Sequence, residues 1–247
     1  MSKWVAGKIV EKKQWTDKLY SLRIEADIEP FEAGQFGKLA LEIDGEMVAR
    51  PYSYVNAPHE RPLDFYFITV EDGPFTQRLN KLERGDQIFL TPHGAGFLVL
   101  SELPSAQNLW LLCTGTALGP FLSIMKTAEP WRRFTNVIFV HAVRYKHELT
   151  YQDTIARIRE LHPQQFHYIP FVSREETDFA MPGRVMDAIA DGRLEKRAGL
   201  ALTTETSQVM ICGNPDMVRD TIAALSARGM KKNRRREPGH ITIENYW

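Results

Sequence analysis

The most restrictive feature of this 247-residue sequence is a change in its hydrophobic pattern near residue 100. Before that point, short runs that alternate with period two are separated by turn residues such as Asp44-Gly45, a pattern typical of antiparallel strands. After it, continuous apolar runs alternate with segments of helical periodicity, which indicates a parallel sheet covered on both faces. We therefore predict two domains with a link at residues 101–105.

Six β-runs are predicted before this link, and four strands with four helices after it. The N-terminal runs favour a small barrel or sandwich, and they cover residues 4–14, 19–26, 35–43, 47–56, 63–70 and 86–92. The later strands cover 109–114, 137–144, 166–173 and 209–213, and the helices cover 118–127, 151–161, 184–190 and 215–228. Ligands of such a sheet bind beyond the carboxyl ends of its strands, so functional residues are expected in those loops.

Composition excludes several classes of protein. Lys plus Arg and Asp plus Glu number 31 each, so overall charge gives no reason to expect a nucleic-acid partner. We expect neither a transmembrane helix nor a signal peptide, because no apolar run has the required length or flanks. The cysteines, Cys113 and Cys212, are too few for a four-cysteine iron–sulfur or zinc site, and the histidines form no metal motif. A reducing cytoplasm is the simplest compartment.

An Arg-Pro-Tyr-Ser-Tyr segment lies in the fourth predicted β-run. In a regular strand, Arg50, Tyr52 and Tyr54 point to one side and Ser53 to the other. An arginine can neutralise a pyrophosphate, a tyrosine can stack on an isoalloxazine ring, and a serine can hydrogen-bond a ring nitrogen. A barrel strand whose aromatic residues pack in the core is the alternative, and such strands are common.

Residues 115–120, Gly-Thr-Ala-Leu-Gly-Pro, follow the first predicted strand of the sheet. Glycine lets the backbone approach a phosphate closely, and the start of the next helix offers free N–H groups. The segment departs from the GxGxxG dinucleotide pattern because its third and sixth positions are Ala117 and Pro120. An ordinary strand-to-helix turn would have the same composition.

Cationic and hydroxyl residues follow the second and third predicted strands. Arg144 ends the second strand, Ser173 and Arg174 end the third, and Arg184 comes shortly afterwards. These groups suit a phosphate monoester such as the 2′-phosphate of NADP. No acidic residue closes the second strand, where an NAD enzyme would bind a ribose diol. Surface ion pairs with the acidic residues at 175, 176 and 178 are the alternative for each arginine.

The fourth predicted strand ends in Cys212-Gly213-Asn214-Pro215. This arrangement places the Cys212 sulfur at the mouth of the sheet, beside any bound ligand. A small buried hydrophobic side chain is the usual environment of a free cysteine, and it is the only interpretation for Cys113. No neighbouring motif indicates a thiolate nucleophile.

Together, in this order and spacing, these motifs resemble those of bacterial ferredoxin (flavodoxin)–NADP reductases, within the plant-type ferredoxin reductase superfamily. The resemblance covers residues 1–247 and includes the ending Glu-Asn-Tyr-Trp. It implies an FAD-binding domain over residues 1–100 and an NADP-binding domain over residues 105–247, with a C-terminal tail that covers the flavin. The expected fold is an N-terminal antiparallel Greek-key β-barrel followed by an α/β doubly wound parallel sheet.

The resemblance also implies the site residues. Those for FAD are Arg50, Pro51, Tyr52, Ser53, Phe65, Tyr66, Phe67, Ile68, Thr69, Pro74, Phe75, Thr76, Thr116, Tyr246 and Trp247. Those for NADP are Thr116, Arg144, Ser173, Arg174, Arg184, Cys212, Gly213 and Asn214. Catalytic roles fall to Ser53 near flavin N5, Cys212 against the nicotinamide, and Glu244, which would stabilise that assembly. No metal is expected.

Two departures from the plant-type pattern stand out. Pro51 fills the variable position of the RxYS motif and removes a backbone donor there. The chain does not end in the single tyrosine of the plant enzymes. It resembles the bacterial group with a longer tail, in which Tyr246 would cover the isoalloxazine ring and Trp247 would meet the adenine of a bent FAD.

The implied activity is hydride transfer from NADPH to FAD, followed by single-electron transfer to ferredoxin or flavodoxin. A basic segment would steer these acidic carriers, and its cations are Lys231, Lys232, Arg234, Arg235 and Arg236. A solvated helix end is the plain alternative, and a nucleic-acid site is a third that lacks an aromatic platform. A flavin reductase that releases free flavin, or a flavin-binding sensor or adaptor subunit, stays open as another function class. We expect a cytoplasmic monomer without membrane or nucleic-acid partners.

Overall fold

A computed structural model describes residues 4–245, and the chain divides into two compact units. One unit contains the chain up to Val99 together with Gly119–Lys126. The other contains Leu100–Leu118 and the chain from Thr127 onward. Each unit has a hydrophobic core of its own.

The first unit is built on a six-stranded antiparallel sheet. Its strands are β1 (Val5–Gln14), β2 (Leu19–Glu25), β3 (Phe36–Ile43), β4 (Glu46–Ser53), β5 (Leu63–Ile68) and β6 (Gln87–Leu90). They pair in the order β4-β3-β6-β1-β2-β5, and an antiparallel bridge between Tyr54 and Phe65 brings the two ends together. The order around this closed sheet is that of a Greek-key barrel, which confirms the fold predicted for the N-terminal half.

Alternating side chains fill the barrel. Ile9, Leu22, Leu39, Phe65 and Leu90 are fully buried, as period-two alternation requires of a sheet with one inner face. Helix α1 (Pro74–Lys81) follows β5 and contributes Phe75 and Leu79 to the same core. Helix α2 (Leu118–Met125) belongs to this unit from Gly119 onward, where the Ser123 hydroxyl donates to the Asn56 carbonyl oxygen at 2.8 Å.

The second unit is built on a six-stranded parallel sheet. Its strands are β7 (Asn108–Thr114), β8 (Asn136–Val143), β9 (Phe166–Val172), β10 (Met181–Pro182), β11 (Ser207–Gly213) and β12 (Ile241–Asn245), in the order β10-β9-β8-β7-β11-β12. Its helices are α3 (Glu129–Arg133), α4 (Gln152–Leu161), α5 (Val185–Ala190), α6 (Arg193–Ala198) and α7 (Pro215–Ser226). The predicted α/β sheet is therefore confirmed, and β10, β12, α3 and α6 are additions to the predicted elements.

Helices cover both faces of this sheet. Side chains of α5, α6 and α7 pack against one face, on residues such as Trp110 and Val140. On the other face, Phe139 and Tyr168 stack at 5.7 Å, and the α4 residue Gln152 donates to the Tyr168 hydroxyl at 3.1 Å. A sheet buried on both faces explains why its strands are continuous apolar runs in the sequence.

The strand order identifies where this sheet can bind a ligand. From β7 the chain proceeds to β8 and β9 on one side, and later to β11 and β12 on the other. The order therefore reverses between β7 and β11, and such a switch point opens a crevice at the carboxyl ends of the two strands. Within residues 4–245, no helix is long and apolar enough to cross a membrane.

Candidate functional site

In the barrel unit, the structure brings three of the predicted site residues together. The Tyr52 ring stacks on Phe75 with centroids 6.0 Å apart, and it meets Phe67 edge-on at 6.3 Å. Tyr52 is half-buried, and burial raises the pKa of its hydroxyl far above the ordinary value, with a smaller opposing effect from Arg50. The barrel therefore presents a fixed, neutral aromatic ring beside β5 and the start of α1.

Arg50 lies two residues before Tyr52 on β4 and is exposed. Its guanidinium donates to the Ala49 carbonyl oxygen at 2.9 Å, and among the described residues no carboxylate pairs with it. Pro51 next to it is exposed, and Ser53 is buried as the register partner of Phe36. Arg50 is thus a cation that is free to bind an anion beside the Tyr52 ring.

Tyr54 agrees with the alternative interpretation of its strand, in which the aromatic residues pack in the barrel core. It is fully buried and stacks on Phe31 with centroids 3.9 Å apart. A Cβ added at Gly37 would lie 2.5 Å from the Tyr54 hydroxyl, so β3 needs glycine there. Tyr54 thus packs in the barrel core.

The β5 residues predicted to line the flavin are mostly core residues. Phe65, Tyr66 and Phe67 are all buried, whereas Ile68 and Thr69 are half-buried. Phe65 and Phe67 belong to the barrel core. Any contact that these two make with a ligand would therefore come from the main chain.

Helix α1 begins without a side-chain cap. Gly73 occupies the N-cap position, Pro74 begins the helix, and no acidic residue lies in the first turn. The Thr76 hydroxyl accepts a hydrogen bond from the Val70 N–H at 3.0 Å and donates to the Gly73 carbonyl oxygen, which fixes the preceding loop. An uncapped helix start without carboxylates attracts anions.

These barrel groups fit the diphosphate and ring of a flavin dinucleotide. The half-buried Tyr52 ring offers an aromatic face, the unpaired Arg50 offers a cation, and the start of α1 offers N–H groups. A buried core alone requires neither an unpaired arginine nor an uncapped helix start. The donor set therefore matches the chemistry predicted for the N-terminal half.

In the sheet unit, the ends of β7 and β11 are locked to each other. The Thr114 hydroxyl accepts a hydrogen bond from the Asn214 N–H at 2.9 Å. Gly213 has φ +143°, and a Cβ there would lie 2.1 Å from the Thr114 Oγ1 atom. Asn214 caps α7, because its Oδ1 accepts from the N–H groups of Asp216 and Met217. Gly213 is therefore required to bring the backbone to the crevice at the switch point.

Four chemically functional side chains lie at one register level across the sheet. Cys212 on β11 pairs with Cys113 on β7 and with Glu244 on β12, and Cys113 pairs with His141 on β8. Both cysteines are free and fully buried, and burial raises the pKa of both thiols well above its ordinary value. Cys212 is therefore a neutral thiol, consistent with the absence of a predicted nucleophile.

Glu244 and His141 each carry a buried polar atom that has no hydrogen-bond partner among residues 4–245. Burial raises the pKa of the Glu244 carboxyl to about 7. Burial lowers the pKa of His141 to about 4, against smaller raising effects from Gly115 and Glu148. The Nε2 atom of His141 lies 3.3 Å from the Gly115 carbonyl oxygen, so this histidine supports the turn that carries the half-buried Thr116.

The predicted phosphate-binding residues are exposed at neighbouring strand ends. Arg144, Ser173, Arg174 and Arg184 lie after β8, after β9 and before α5. The N–H of Arg174 donates to the Arg144 carbonyl oxygen at 2.9 Å, which joins two of these loops. Among the described residues, the side chains of Arg174 and Arg184 form no ion pair.

Arg144 forms an ion pair, but not with any of the three acidic residues that we named as alternative partners. Its guanidinium donates to Glu148 at 2.8 Å. Glu175 instead accepts a hydrogen bond from the N–H of Lys146. The sequence did not single out Glu148, His141 or Thr114, and the only signal for them was a position within a few residues of a predicted strand end.

The basic segment forms a tight hairpin and not a helix end. Reciprocal backbone hydrogen bonds of 3.0 Å join Arg234 and Glu237, so Arg235 and Arg236 form the two-residue tip. Asn233 is buried beneath it and donates to the Glu102 carbonyl oxygen at 2.7 Å. All five cations are exposed, although Arg234 and Arg235 form surface ion pairs with Glu237 and Glu102.

Tyr246 and Trp247 lie outside the described residues. Between residues 4 and 245, no group of three or more His, Cys, Asp or Glu side chains is placed to hold a metal ion.

Comparisons with known proteins agree with both halves of this description. Residues 8–96 match the oxidoreductase FAD-binding domain family, and residues 111–222 match the oxidoreductase NAD-binding domain family. The flavodoxin/ferredoxin–NADP reductases of Shigella flexneri and Escherichia coli (strain K12) are each 46% identical over 248 residues, covering 100% of this chain and 100% of the relative.

A solved structure gives the same result. The ferredoxin NADP⁺ reductase from Neisseria gonorrhoeae, crystallised with bound FAD and NADP, is 32% identical, with a TM-score of 0.94 over 100% of both chains. The family predicted from the sequence motifs is thereby confirmed. This chain belongs to the flavodoxin/ferredoxin–NADP reductase family.

Proposed function

We propose that this protein is an FAD-dependent oxidoreductase that passes electrons between NADPH, which donates a hydride, and a one-electron carrier, ferredoxin or flavodoxin. The observation that carries the proposal is the match over the full length of both chains to reductases with this activity in their names. The two sets of described groups, one in each unit, supply the matching chemistry. When bound, FAD accepts two electrons as a hydride and releases them singly.

In the barrel unit, Arg50 neutralises the diphosphate of the cofactor together with the N–H groups at the start of α1. The free guanidinium and the uncapped helix support these roles. Tyr52 lies against the flavin ring, held in one orientation by Phe67 and Phe75. Ser53 hydrogen-bonds near flavin N5. The predicted FAD residues of β5 and α1 act mainly through their main chain.

In the sheet unit, the dinucleotide binds along the carboxyl ends of the strands. Arg144, Ser173, Arg174 and Arg184 bind the 2′-phosphate, which makes NADPH the preferred donor over NADH. Their exposure at adjacent strand ends supports this role. Thr116, Gly213 and Asn214 shape the crevice for the rest of the dinucleotide.

Around the nicotinamide, the side chains of the protein orient the ring and form no covalent bond with it. Cys212 is a neutral thiol that packs beside the ring. Glu244 offers the substrate its Oε2 atom, which has no hydrogen-bond partner within residues 4–245. For Tyr246 and Trp247, which lie outside the described residues, the family resemblance gives the roles of covering the flavin and meeting the adenine of FAD. These roles require alignment of nicotinamide C4 with flavin N5 and exclusion of water.

The carrier docks on the basic hairpin of Lys231, Lys232, Arg234, Arg235 and Arg236. A hairpin anchored by a buried asparagine presents its charges in fixed positions, and fixed cations steer an acidic partner. We propose the cytoplasm as the compartment, since both cysteines are free thiols, and a monomer as the state of the protein.

The test is NADPH-dependent reduction of a purified acidic flavodoxin or ferredoxin. We expect turnover that weakens as salt increases. In Arg236→Glu, the KM for the carrier should rise at least about fivefold, since a steering charge is reversed, while NADPH oxidation with ferricyanide stays unchanged. Lys196→Glu on α6 is the matched control, because Lys196 is an exposed cation of the same unit. No carrier reduction, or release of free reduced flavin in its place, would contradict the proposal.

A further inference from the structure

The guanidinium of Arg144 is held in place by one carboxylate. Its NH2 group donates to the Oε1 atom of Glu148 at 2.8 Å. The other oxygen of Glu148 accepts the backbone N–H of Arg144 at 2.9 Å and that of Tyr145 at 3.2 Å. One acidic side chain therefore fixes both the backbone at the end of β8 and the side chain that leaves it.

Local structure explains why Glu148 can reach these groups. Strand β8 ends at Val143, and a 3-10 turn at Lys146–Glu148 brings the chain back on itself. The side chain of Glu148 is only 12% exposed. Burial alone would raise its pKa, but the hydrogen bonds from Arg144 and from the N–H groups of Tyr145 and Arg144 outweigh burial and hold the pKa below its ordinary value. Glu148 is therefore ionised and already satisfied by its neighbours.

Arg144 keeps its other donors available. Its side chain is 49% exposed, and its guanidinium uses one nitrogen on Glu148 and has no other side-chain partner among the described residues. A guanidinium carries five N–H donors in a rigid fork. It can therefore contact a carboxylate on one side and a phosphate on the other.

We propose that Glu148 is a positioning residue that fixes Arg144 for the 2′-phosphate and so sets the preference for NADPH over NADH. This inference rests on the proposed function, in which Arg144 binds that phosphate. A flexible arginine loses side-chain freedom when it binds, whereas an arginine already held in place loses less. A carboxylate normally repels a phosphate, but this one is largely buried and accepts three hydrogen bonds, so we expect the gain from orientation to exceed the repulsion.

The experiment compares Glu148→Gln with wild type and measures the affinity of the FAD-loaded protein for two probes. The probes are 2′,5′-ADP, which carries the 2′-phosphate, and 5′-AMP, which lacks it. We expect about fivefold weaker binding of 2′,5′-ADP, which is about 1 kcal/mol, and unchanged binding of 5′-AMP. In turnover, the KM for NADPH should rise with kcat unchanged, and the kinetics with NADH should stay as in wild type. A merely structural defect would change both probes together.

The matched control is Glu129→Gln on α3. Glu129 forms an ion pair of the same i, i+4 type with Arg133 at 2.9 Å, in the same unit, so its removal should leave both probes unaffected. Unchanged or tighter 2′,5′-ADP binding in Glu148→Gln would overturn the inference. Tighter binding would mean that the carboxylate competes with the phosphate.

Two further variants separate this inference from the proposed function. Arg144→Ala should lose 2′,5′-ADP affinity at least as strongly as Glu148→Gln. If it loses none, the phosphate site itself is misassigned and the inference fails with it. If Arg144→Ala weakens binding and Glu148→Gln does not, only the positioning role fails. If Glu148→Gln does not fold, Arg144→Lys is used in its place, because lysine keeps the positive charge but lacks the rigid fork of donors. We expect the same selective loss of affinity for 2′,5′-ADP in this variant. Unchanged affinity for 2′,5′-ADP would contradict the inference.

Discussion

Cys212 on β11 and Glu244 on β12 are register partners in neighbouring parallel strands, so their side chains lie side by side at the carboxyl edge of the sheet. Cys212 is fully buried, and the Oε2 atom of Glu244 has no hydrogen-bond partner among the described residues. A carboxyl buried against an apolar thiol is costly to ionise. This pairing therefore predicts an unusual titration of Glu244, which can be tested through the pH dependence of stability.

Replacing Glu244 with glutamine should change how stability depends on pH. Burial raises the pKa of Glu244 from 4.5 to about 7, so the folded protein keeps a proton that the unfolded chain releases. Wild-type stability should therefore fall as the pH rises through 4.5 to 7, by about 1 to 3 kcal/mol from this group. The Glu244→Gln variant should not show this fall in stability, because glutamine does not titrate. Urea unfolding at pH 5 and pH 8 measures the difference, with the exposed Glu176→Gln as control, and a wild-type-minus-variant difference that is constant with pH would contradict the account.

His141 should produce the opposite slope in acid. Burial lowers its pKa from 6.5 to about 4. Between these two pH values the histidine is therefore protonated in the unfolded chain and neutral in the folded protein. Wild-type stability from this group is present above pH 6.5 and is lost as the pH falls to 4, by about 2 to 3 kcal/mol. His141→Gln should be less stable at neutral pH but should lose less on acidification. Equal acid sensitivity in the two proteins, measured by urea unfolding, would rule out a neutral buried His141.

Gly213→Ala should damage both stability and nicotinamide binding. The added Cβ would lie 2.1 Å from Thr114 Oγ1, at a φ of +143°, so the two strand ends must separate. We expect a loss of about 2 to 4 kcal/mol of unfolding free energy and weaker NADP⁺ binding. Gly199→Ala is the control, because Gly199 also has positive φ, +69°, but open space around it, and it should cost about 1 kcal/mol. Similar losses in the two variants would show that contact with Thr114 has no role.

Arg50→Ala should weaken the binding of FAD without unfolding the barrel. The guanidinium is exposed and has no carboxylate partner among the described residues, so its removal costs the fold little and removes one cation from the proposed diphosphate site. We expect about tenfold weaker FAD binding, as for loss of one charge-assisted hydrogen bond. Fluorescence titration of the apoprotein measures this. Arg23→Ala, in an exposed ion pair with Glu11 on the same barrel, should bind FAD normally, and equal effects of the two changes would refute the assignment.

The sequence predicted the two folds because periodicity and turn residues are local signals. It missed β12, since Ile241–Asn245 is only five residues long and becomes a strand through pairing with β11. Without β12, only the family resemblance associated Glu244 with Cys212, and the pairing of the two residues in neighbouring strands could not be predicted. The predicted arginines do lie next to strand ends, but their partners depend on how each loop folds. Glu148 reaches Arg144 through a 3-10 turn, and no local pattern distinguishes that residue from Glu175.

The most direct test of the central claim is an anaerobic titration of the purified protein, followed by its visible spectrum. We expect flavin absorption bands that bleach with stoichiometric NADPH and respond poorly to NADH. Selective bleaching would support both the Arg50–Ser53 flavin site and the phosphate site of Arg144, Ser173, Arg174 and Arg184. A protein that takes up no FAD, or a flavoprotein indifferent to NADPH, would contradict it.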